Sequence, residues 1–237
     1  MILSRTRLLW KLKLKEYLFD IGGMGQIVEL RRRHQLEDSM GFRGQWESHR
    51  DFQIELLKSQ GLLPSHRLLE IGCGPMTGGL PIIEYLDSGS YVGVDVRNSV
   101  LDLAWQEIGQ VGLSRKNPRL ICSHDFASPE LSGDVFDFVF SFSVLFHLSD
   151  ELLHRYLAAV SKRLRSEGKC IANVNTNVSD DVWLEFPFLK RTVDTYRQAA
   201  AEHGLSTVEL GKISELGFGG QGSEKDNSLL VFTVHKG

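Results

Sequence analysis

No run of about 18 consecutive apolar residues occurs in this 237-residue chain, so the sequence gives no sign of a membrane-spanning helix. Cysteine is scarce. Cys73, Cys122 and Cys170 are odd in number, far apart and without metal-ligand spacing. A disulfide framework and a bound metal are therefore not expected, and free thiols in a reducing cytoplasm are. Positive charge is not in excess either, with 27 Lys+Arg against 30 Asp+Glu giving a net charge of −3. The deficit is uneven. Residues 1–34 hold eight basic residues against Glu16, Asp20 and Glu29, a net of +5, so the rest of the chain sums to −8. Duplex nucleic acid is bound chiefly by neutralising its phosphates, so an acidic body argues against a nucleic-acid partner. The basic opening MILSRTRLLWKLKLKEYLF is broken by Lys11, Lys13 and Lys15, which argues against a secretory signal. It reads as a solvated helix packing its Leu and Trp residues on the body, the alternative being peripheral contact with a membrane surface or an anionic substrate. Internal repeats and low-complexity segments are absent.

The chain does have 42% apolar and 24% charged residues, the balance of a soluble globular protein, and a length that one α/β domain can use whole. Residues 1–44 read as partly helical, broken at Gly22-Gly23 and around Gly41 and Gly44. A helix over 45–60 carries Phe52, Leu56 and Leu57 on one stripe and stops at Gly61. Strands follow at 67–71, 90–95, 119–123, 136–142, 169–174, 206–213 and 229–235. Helices are expected at 79–86, from Asn98 or Ser99 as cap to about Gly109, from Ser149-Asp150-Glu151 to Lys162, Arg163, Arg165 and Gly168, and at 189–203. Polar loops cover 175–188 and 217–227. The spacing predicts an α/β fold: a seven-stranded, mostly parallel, doubly wound sheet with an antiparallel last strand, plus an N-terminal helical extension. The expected division is 1–65, extension or lid, and 66–237, the ligand-binding domain.

The chain is organised around RLLEIGCGPMTGG, residues 67–79, an apolar strand running into Gly72-Cys73-Gly74 and then Gly78-Gly79. Such a turn brings backbone close to a ligand at the carboxyl ends of the strands. The dinucleotide fingerprint needs a third glycine where Thr77 stands, and the P-loop Gly-Lys-Ser/Thr is missing, so a pyrophosphate is poorly served. Glu70, two residues before the first glycine, would repel a phosphate and suits a ligand with a cationic head.

LLEIGCGPMTGG, YVGVDV, HDF after strand three, FDFVFSFSVLFHL through strand four and the closing LLVFTVHKG occur in order, and with them the chain from about residue 66 resembles the class I S-adenosylmethionine-dependent methyltransferases. The resemblance implies a Rossmann-like domain, S-adenosylmethionine as cofactor and S-adenosylhomocysteine as product. At matching positions it implies Glu70, Gly72, Cys73 and Gly74 near the aminoacyl end and Asp95, with Val96 after it, at the ribose hydroxyls. It implies Asp125 and Phe126 at the adenine, and Ser141 and Phe142 next to the sulfonium. Asp95 is also readable as a turn residue, Asp125 as an Asx turn and Phe142 as core.

Methyl transfer needs an acceptor held in line, water excluded and, for a protonated acceptor, a base. His147 is the candidate base, with a structural histidine as the competing reading. Trp46 and His49 are placed to close over the cofactor or simply to pack. The strand-four exit SFSVLFHL departs from the Asn/Asp-Pro-Pro-Tyr/Phe of relatives that methylate nucleobase amines or glutamine amides. A small-molecule acceptor is therefore expected, methylated on O or N. Trp183, Phe186 and Phe188 would give it an apolar wall, and the loop GFGGQGSEKDN is free to gate the site. Two other classes stay open. One is a non-catalytic cofactor-binding protein acting through its basic N-terminus; the other, disfavoured by Thr77, is a nicotinamide-dependent oxidoreductase.

Overall fold

The computed structural model describes residues 46–126, 128–176, 181–183, 186–218 and 226–235. The helices expected within residues 1–44 and most of the expected gating loop, 219–225, lie outside the described residues, as do the side chains of Trp46 and Trp183. Helix α1 (Trp46–Ser59) ends where Gly61 takes φ 97, with Leu62 N–H donating to Leu57 O and Gly61 N–H to Lys58 O. This is the glycine stop expected from the sequence. β1 (Leu68–Ile71), α2 (Gly79–Tyr85), β2 (Tyr91–Asp95), α3 (Asn98–Gln110), β3 (Arg119–Cys122) and β4 (Phe136–Ser141) follow in alternation. Then come α4 (Asp150–Arg163), β5 (Leu164–Val174), β6 (Asp181–Trp183), β7 (Phe186–Phe188), α5 (Val193–Glu202), β8 (Leu205–Lys212) and β9 (Ser228–Val234).

Seven strands form one sheet in the order β3-β2-β1-β4-β5-β9-β8. Six run parallel; β9 lies antiparallel between β5 and β8. The expected seven-stranded, mostly parallel sheet is therefore present. Alternate strand residues feed two cores. Leu68, Tyr91, Phe138, Phe140 and Ile171 face α1, α2 and α3, whereas Leu69, Val92, Val139, Cys170 and Ala172 face α4 and α5. A sheet buried on both sides needs this double supply of apolar residues. Helix α1 contributes Phe52, Leu56 and Leu57 to the first core. It lies in the same compact unit as the sheet, residues 45–237.

Local differences from the sequence reading have physical causes. α4 is capped by Ser149, whose side chain accepts from Leu152 N–H, but it runs straight into β5 at Leu164 with no glycine stop. Gly168 lies inside β5, where a Cβ would come within 2.9 Å of Asp137 O. α5 starts four residues late because Thr192 caps it and Arg191 is held outside by Asp150 and Leu148 O. Asn98 and Ser99 make no cap; α3 begins after Arg97 without a side-chain cap bond. The stretch expected as an open loop after β5 contains the antiparallel ribbon β6–β7.

Candidate functional site

Strand order reverses between β1 and β4, and the crevice outside a sheet's carboxyl ends opens at such a reversal. The chain leaves β1 through Gly72, φ 77, and Gly74, φ 53. Both values lie in the left-handed region that glycine takes without strain. At Gly72 there is a second constraint, since a Cβ would sit 2.3 Å from Val144 Cγ2 at the exit of β4. The N–H groups of Gly72 and Cys73 both donate to Val94 O, at 2.8 and 3.0 Å, and the N–H of Gly74 donates to Asp95 Oδ2 at 3.0 Å. A phosphate cradle works by offering such N–H groups to the anion. These three are committed to β2, which removes them from phosphate binding and supports the sequence argument against a pyrophosphate.

Asp95 lies at the tip of β2 and is only 6% exposed. Its Oδ1 accepts from Arg97 N–H at 2.9 Å while Oδ2 takes Gly74. The turn bond that the sequence reading gave to Asn98 is thus made by Asp95 itself. A carboxylate has about four acceptor sites, so capacity toward a ligand remains. Val96 follows, its carbonyl 3.7 Å from Cys122 Sγ.

Glu70 departs from its expected role. It is buried under the loop, 3% exposed, and its Oε2 accepts from Tyr91 O–H at 2.5 Å. Burial pushes its carboxyl up to about 8; the Tyr91 hydrogen bond opposes this and the Asp95 charge adds to it. Its burial therefore favours the neutral acid, placed to support the loop from below. Cys73 is likewise buried, with burial raising its thiol well above the usual range, so only its backbone can serve a ligand.

Asp125 is half-exposed and pairs with Arg155 of α4 at 3.0 Å. Such an exposed pair contributes about 0–1 kcal/mol and exchanges readily for another partner. Phe126 packs edge-on against Tyr156 at 5.5 Å. Ser141 turns its hydroxyl to the α4 face, 2.8 Å from Tyr156 OH, which in turn contacts Cys170 Sγ at 3.2 Å. Its side chain therefore lies on the side away from Phe142, and at the strand end it has backbone to offer. Phe142 points to the α1 face, among His49 (5.9 Å), Phe52 (6.0 Å) and Phe140 (6.1 Å).

Two elements close the crevice. Helix α1 lies along the loop, with Arg50 Nε donating to Thr77 O at 3.3 Å and Gln53 Oε1 filling the space a Cβ on Gly78 would need. Its His49 and Phe52 pack on Phe218, at 4.8 and 5.3 Å. From the other side β7 spans the strand ends. Phe188 stacks on Phe146 at 5.4 Å, Leu189 N–H donates to Phe146 O, and the Arg97 guanidinium sits over Phe186 at 5.6 Å. His147 lies inside this bridge. Its Nδ1 is 2.8 Å from Pro187 O, and its ring contacts Phe188 at 4.7 Å and Phe186 at 5.9 Å. A carbonyl only accepts, so Nδ1 carries the proton and the neutral ring's lone pair is on Nε2.

Thr77 Oγ1 in the loop, Ser143 Oγ and Asn173 Nδ2 are buried polar atoms without a hydrogen-bond partner. Unpaired buried polar atoms are costly, and here all three lie at the loop or the strand exits, where a bound ligand would meet them. Sequence reasoning missed them. A lone amide in the apolar strand KCIANV and a hydroxyl where a fingerprint wants glycine were the available signals. With acceptor capacity at Asp95, no N–H cradle at Gly72–Gly74 and an orphan hydroxyl beside them, the residues fit a nucleoside joined to an amino acid. Among the described residues no group of His, Cys, Asp and Glu suits a metal ion, and no helix is long and apolar enough to cross a membrane.

Comparison with known proteins agrees with this reading. The sequence profile of the methyltransferase domain family matches residues 69–170. Among solved structures, an S-adenosylmethionine-dependent methyltransferase from Clostridium acetobutylicum superposes with TM-score 0.65 at 14% identity, over 86% of this chain and 97% of that one. Magnesium protoporphyrin IX methyltransferase from Synechocystis, solved with bound S-adenosylmethionine, gives 0.60 at 15% identity, over 79% and 80%. A glycopeptide N-methyltransferase complexed with sinefungin gives 0.62 at 14%, over 77% and 92%. At these identities the likeness is one of fold.

Proposed function

We propose, for a chain that carries a methyltransferase domain of the class I S-adenosylmethionine-dependent family, that the methyl acceptor is a small apolar or aromatic molecule methylated on oxygen or nitrogen. The observation that supports this is the aromatic roof. Phe186 and Phe188 of β7 reach from Arg97 after β2 to His147 after β4, and His49 and Phe52 pack on Phe142 with Phe218 against them. A duplex or an extended peptide needs an open groove, whereas rings closing from two sides favour a small, apolar guest. One fold neighbour is named for magnesium protoporphyrin IX, a large aromatic macrocycle, which is in keeping with an aromatic acceptor.

In this reading Asp95 accepts from the ribose hydroxyls, and Asp125 with the Phe126 backbone frames the adenine. The backbone of Gly72, Cys73 and Gly74, held in place by Glu70 from below, faces the aminoacyl end with Thr77 Oγ1. Val96 and the Ser141 backbone border the cleft, and the Phe142 ring offers its face to positive charge. When bound, S-adenosylmethionine supplies an electrophilic methyl group on a sulfonium that leaves as a neutral thioether. The protein's share is to hold the acceptor in line, exclude water and take its proton. His147 is the proposed base: Pro187 O fixes its tautomer and orients Nε2. A reducing, cytoplasmic setting suits the three free cysteines.

The test is transfer of labelled methyl from the cofactor to a cell extract split into small-molecule and macromolecular fractions. Label in the small-molecule fraction, extractable into an organic solvent, is expected. Label confined to protein or nucleic acid would overturn the acceptor class, and cofactor binding with no transfer anywhere would favour a binding protein.

A further inference from the structure

Two of the orphan polar atoms belong to residues joined by a hydrogen bond, Asn173 and Ser143, at the exits of β5 and β4. Asn173 stands one step past the Ser141–Ala172 register pair of β4 and β5, which puts it beside Phe142 on the α1 face. Its Oδ1 accepts from Ser143 N–H at 2.5 Å. That bond holds Ser143 at φ 58, a conformation serine does not choose on its own. The same amide's Nδ2 has no partner although the residue is wholly buried, and Ser143 Oγ has none either. A valine or leucine would fill this strand position without an unmet donor, so the amide carries a cost that its loop-holding Oδ1 does not account for.

Position suggests what meets these atoms. Across the sheet the strand tips run Asp95 on β2, Gly72–Gly74 on β1, Phe142–Ser143 on β4 and Asn173 on β5. The ribose-binding candidate is at one end of that row and Asn173 at the other, with the proposed sulfonium neighbour Phe142 between them. We infer that Asn173 Nδ2 and Ser143 Oγ are the polar contacts of the acceptor site, and that the acceptor is an apolar or aromatic molecule carrying a carboxylate, carbonyl or phenolic oxygen. An Asn Nδ2 only donates, so it matches an oxygen lone pair and rejects an ammonium group. The Phe142 ring at the end of the neighbouring strand, with His49 and Phe52 packed on it and Phe218 against those two, provides for the apolar body. These rings are closed on one another, so the acceptor enters by parting them. The inference rests on the methyl-transfer reading and makes Asn173 and Ser143 its specificity-determining residues.

The probes are 4-hydroxybenzoate and benzylamine, titrated by calorimetry into full-length protein saturated with S-adenosylhomocysteine. The wild type binds 4-hydroxybenzoate in preference to benzylamine. Asn173→Asp keeps an oxygen for Ser143 N–H but removes the donor, and weakens 4-hydroxybenzoate by about 10–100-fold. Ser143→Gly removes the hydroxyl, suits φ 58 and weakens it by about 3–10-fold. Both variants keep S-adenosylhomocysteine affinity within about twofold, which a general loosening of the site would not allow. Equal binding of both probes, binding of neither, or variants that bind 4-hydroxybenzoate like the wild type overturns the inference. If Asn173→Asp does not fold, Ser143→Gly decides alone. Failure of the wild type to bind S-adenosylhomocysteine is a different result, which overturns the methyl-transfer reading itself.

Discussion

Replacing Glu70 by Gln should change how the protein's stability responds to pH. Glu70 is buried beneath the glycine turn, bonded to Tyr91 at 2.5 Å, and its carboxyl is raised from 4.5 to about 8. A raised carboxyl makes the folded state bind more protons than the unfolded chain between those two values. Stability from this group is therefore complete below about pH 4.5 and is lost as pH rises through 8. At about 1.4 kcal/mol per pH unit the whole effect is at most about 5 kcal/mol, of which about 3.5 kcal/mol falls between pH 5 and pH 8. Gln is nearly isosteric, accepts the Tyr91 hydrogen bond and does not titrate, so other groups cancel in the comparison. Urea unfolding of both proteins at pH 5, 6, 7 and 8 should show the wild type losing its advantage over Glu70→Gln by roughly this amount across the window. Parallel stability profiles would refute the reasoning, because they would mean that Glu70 is charged in the fold.

Other outcomes follow from the same geometry. Gly72→Ala should cost about 2–5 kcal/mol in urea unfolding, since it combines a left-handed φ with a Cβ overlapping Val144. Adding Val144→Ala should restore only the overlap part; full recovery would contradict the backbone argument. Asp95→Ala should weaken S-adenosylhomocysteine by about 100-fold in calorimetry, from the loss of charge-assisted bonds. Unchanged affinity would remove Asp95 from the site. His147→Gln should lower kcat/KM by about 100-fold and flatten the acidic limb of the pH–rate profile. A fall in rate with that limb intact would leave His147 as an anchor for β7 alone.

The sheet was legible because every strand alternates its apolar faces and the turns between them carry glycine, Asx or capping residues. FDFVFSF shows both faces, and the structure puts Phe138 and Phe140 in one core and Phe136 and Val139 in the other. Ser149 and Gly61 were readable since their effects are local. Features set by distant partners were not. Gly168 looked like a helix stop but makes room for Asp137 O from another strand. Asn98 looked like a cap, yet Asp95 made the turn bond. The β6–β7 ribbon has three-residue strands with Pro187 in one of them, too short for any period to register. Within the site, the glycine turn and Asp95 were visible as types at a spacing. Glu70 shows why type alone falls short: the residue type is a carboxylate, and burial, with the Asp95 charge beside it, pushes it toward the neutral form against the Tyr91 hydrogen bond. Asn173 and Ser143 went unnoticed because an orphan atom is defined by what does not surround it.

The β1–β4 crevice is built for an adenosyl amino acid rather than a dinucleotide. Calorimetric titration of the full-length protein with S-adenosylhomocysteine and, separately, with NAD tests it most directly. Saturable one-to-one binding of S-adenosylhomocysteine and no heat of binding with NAD are expected. Binding of NAD without S-adenosylhomocysteine would contradict this assignment.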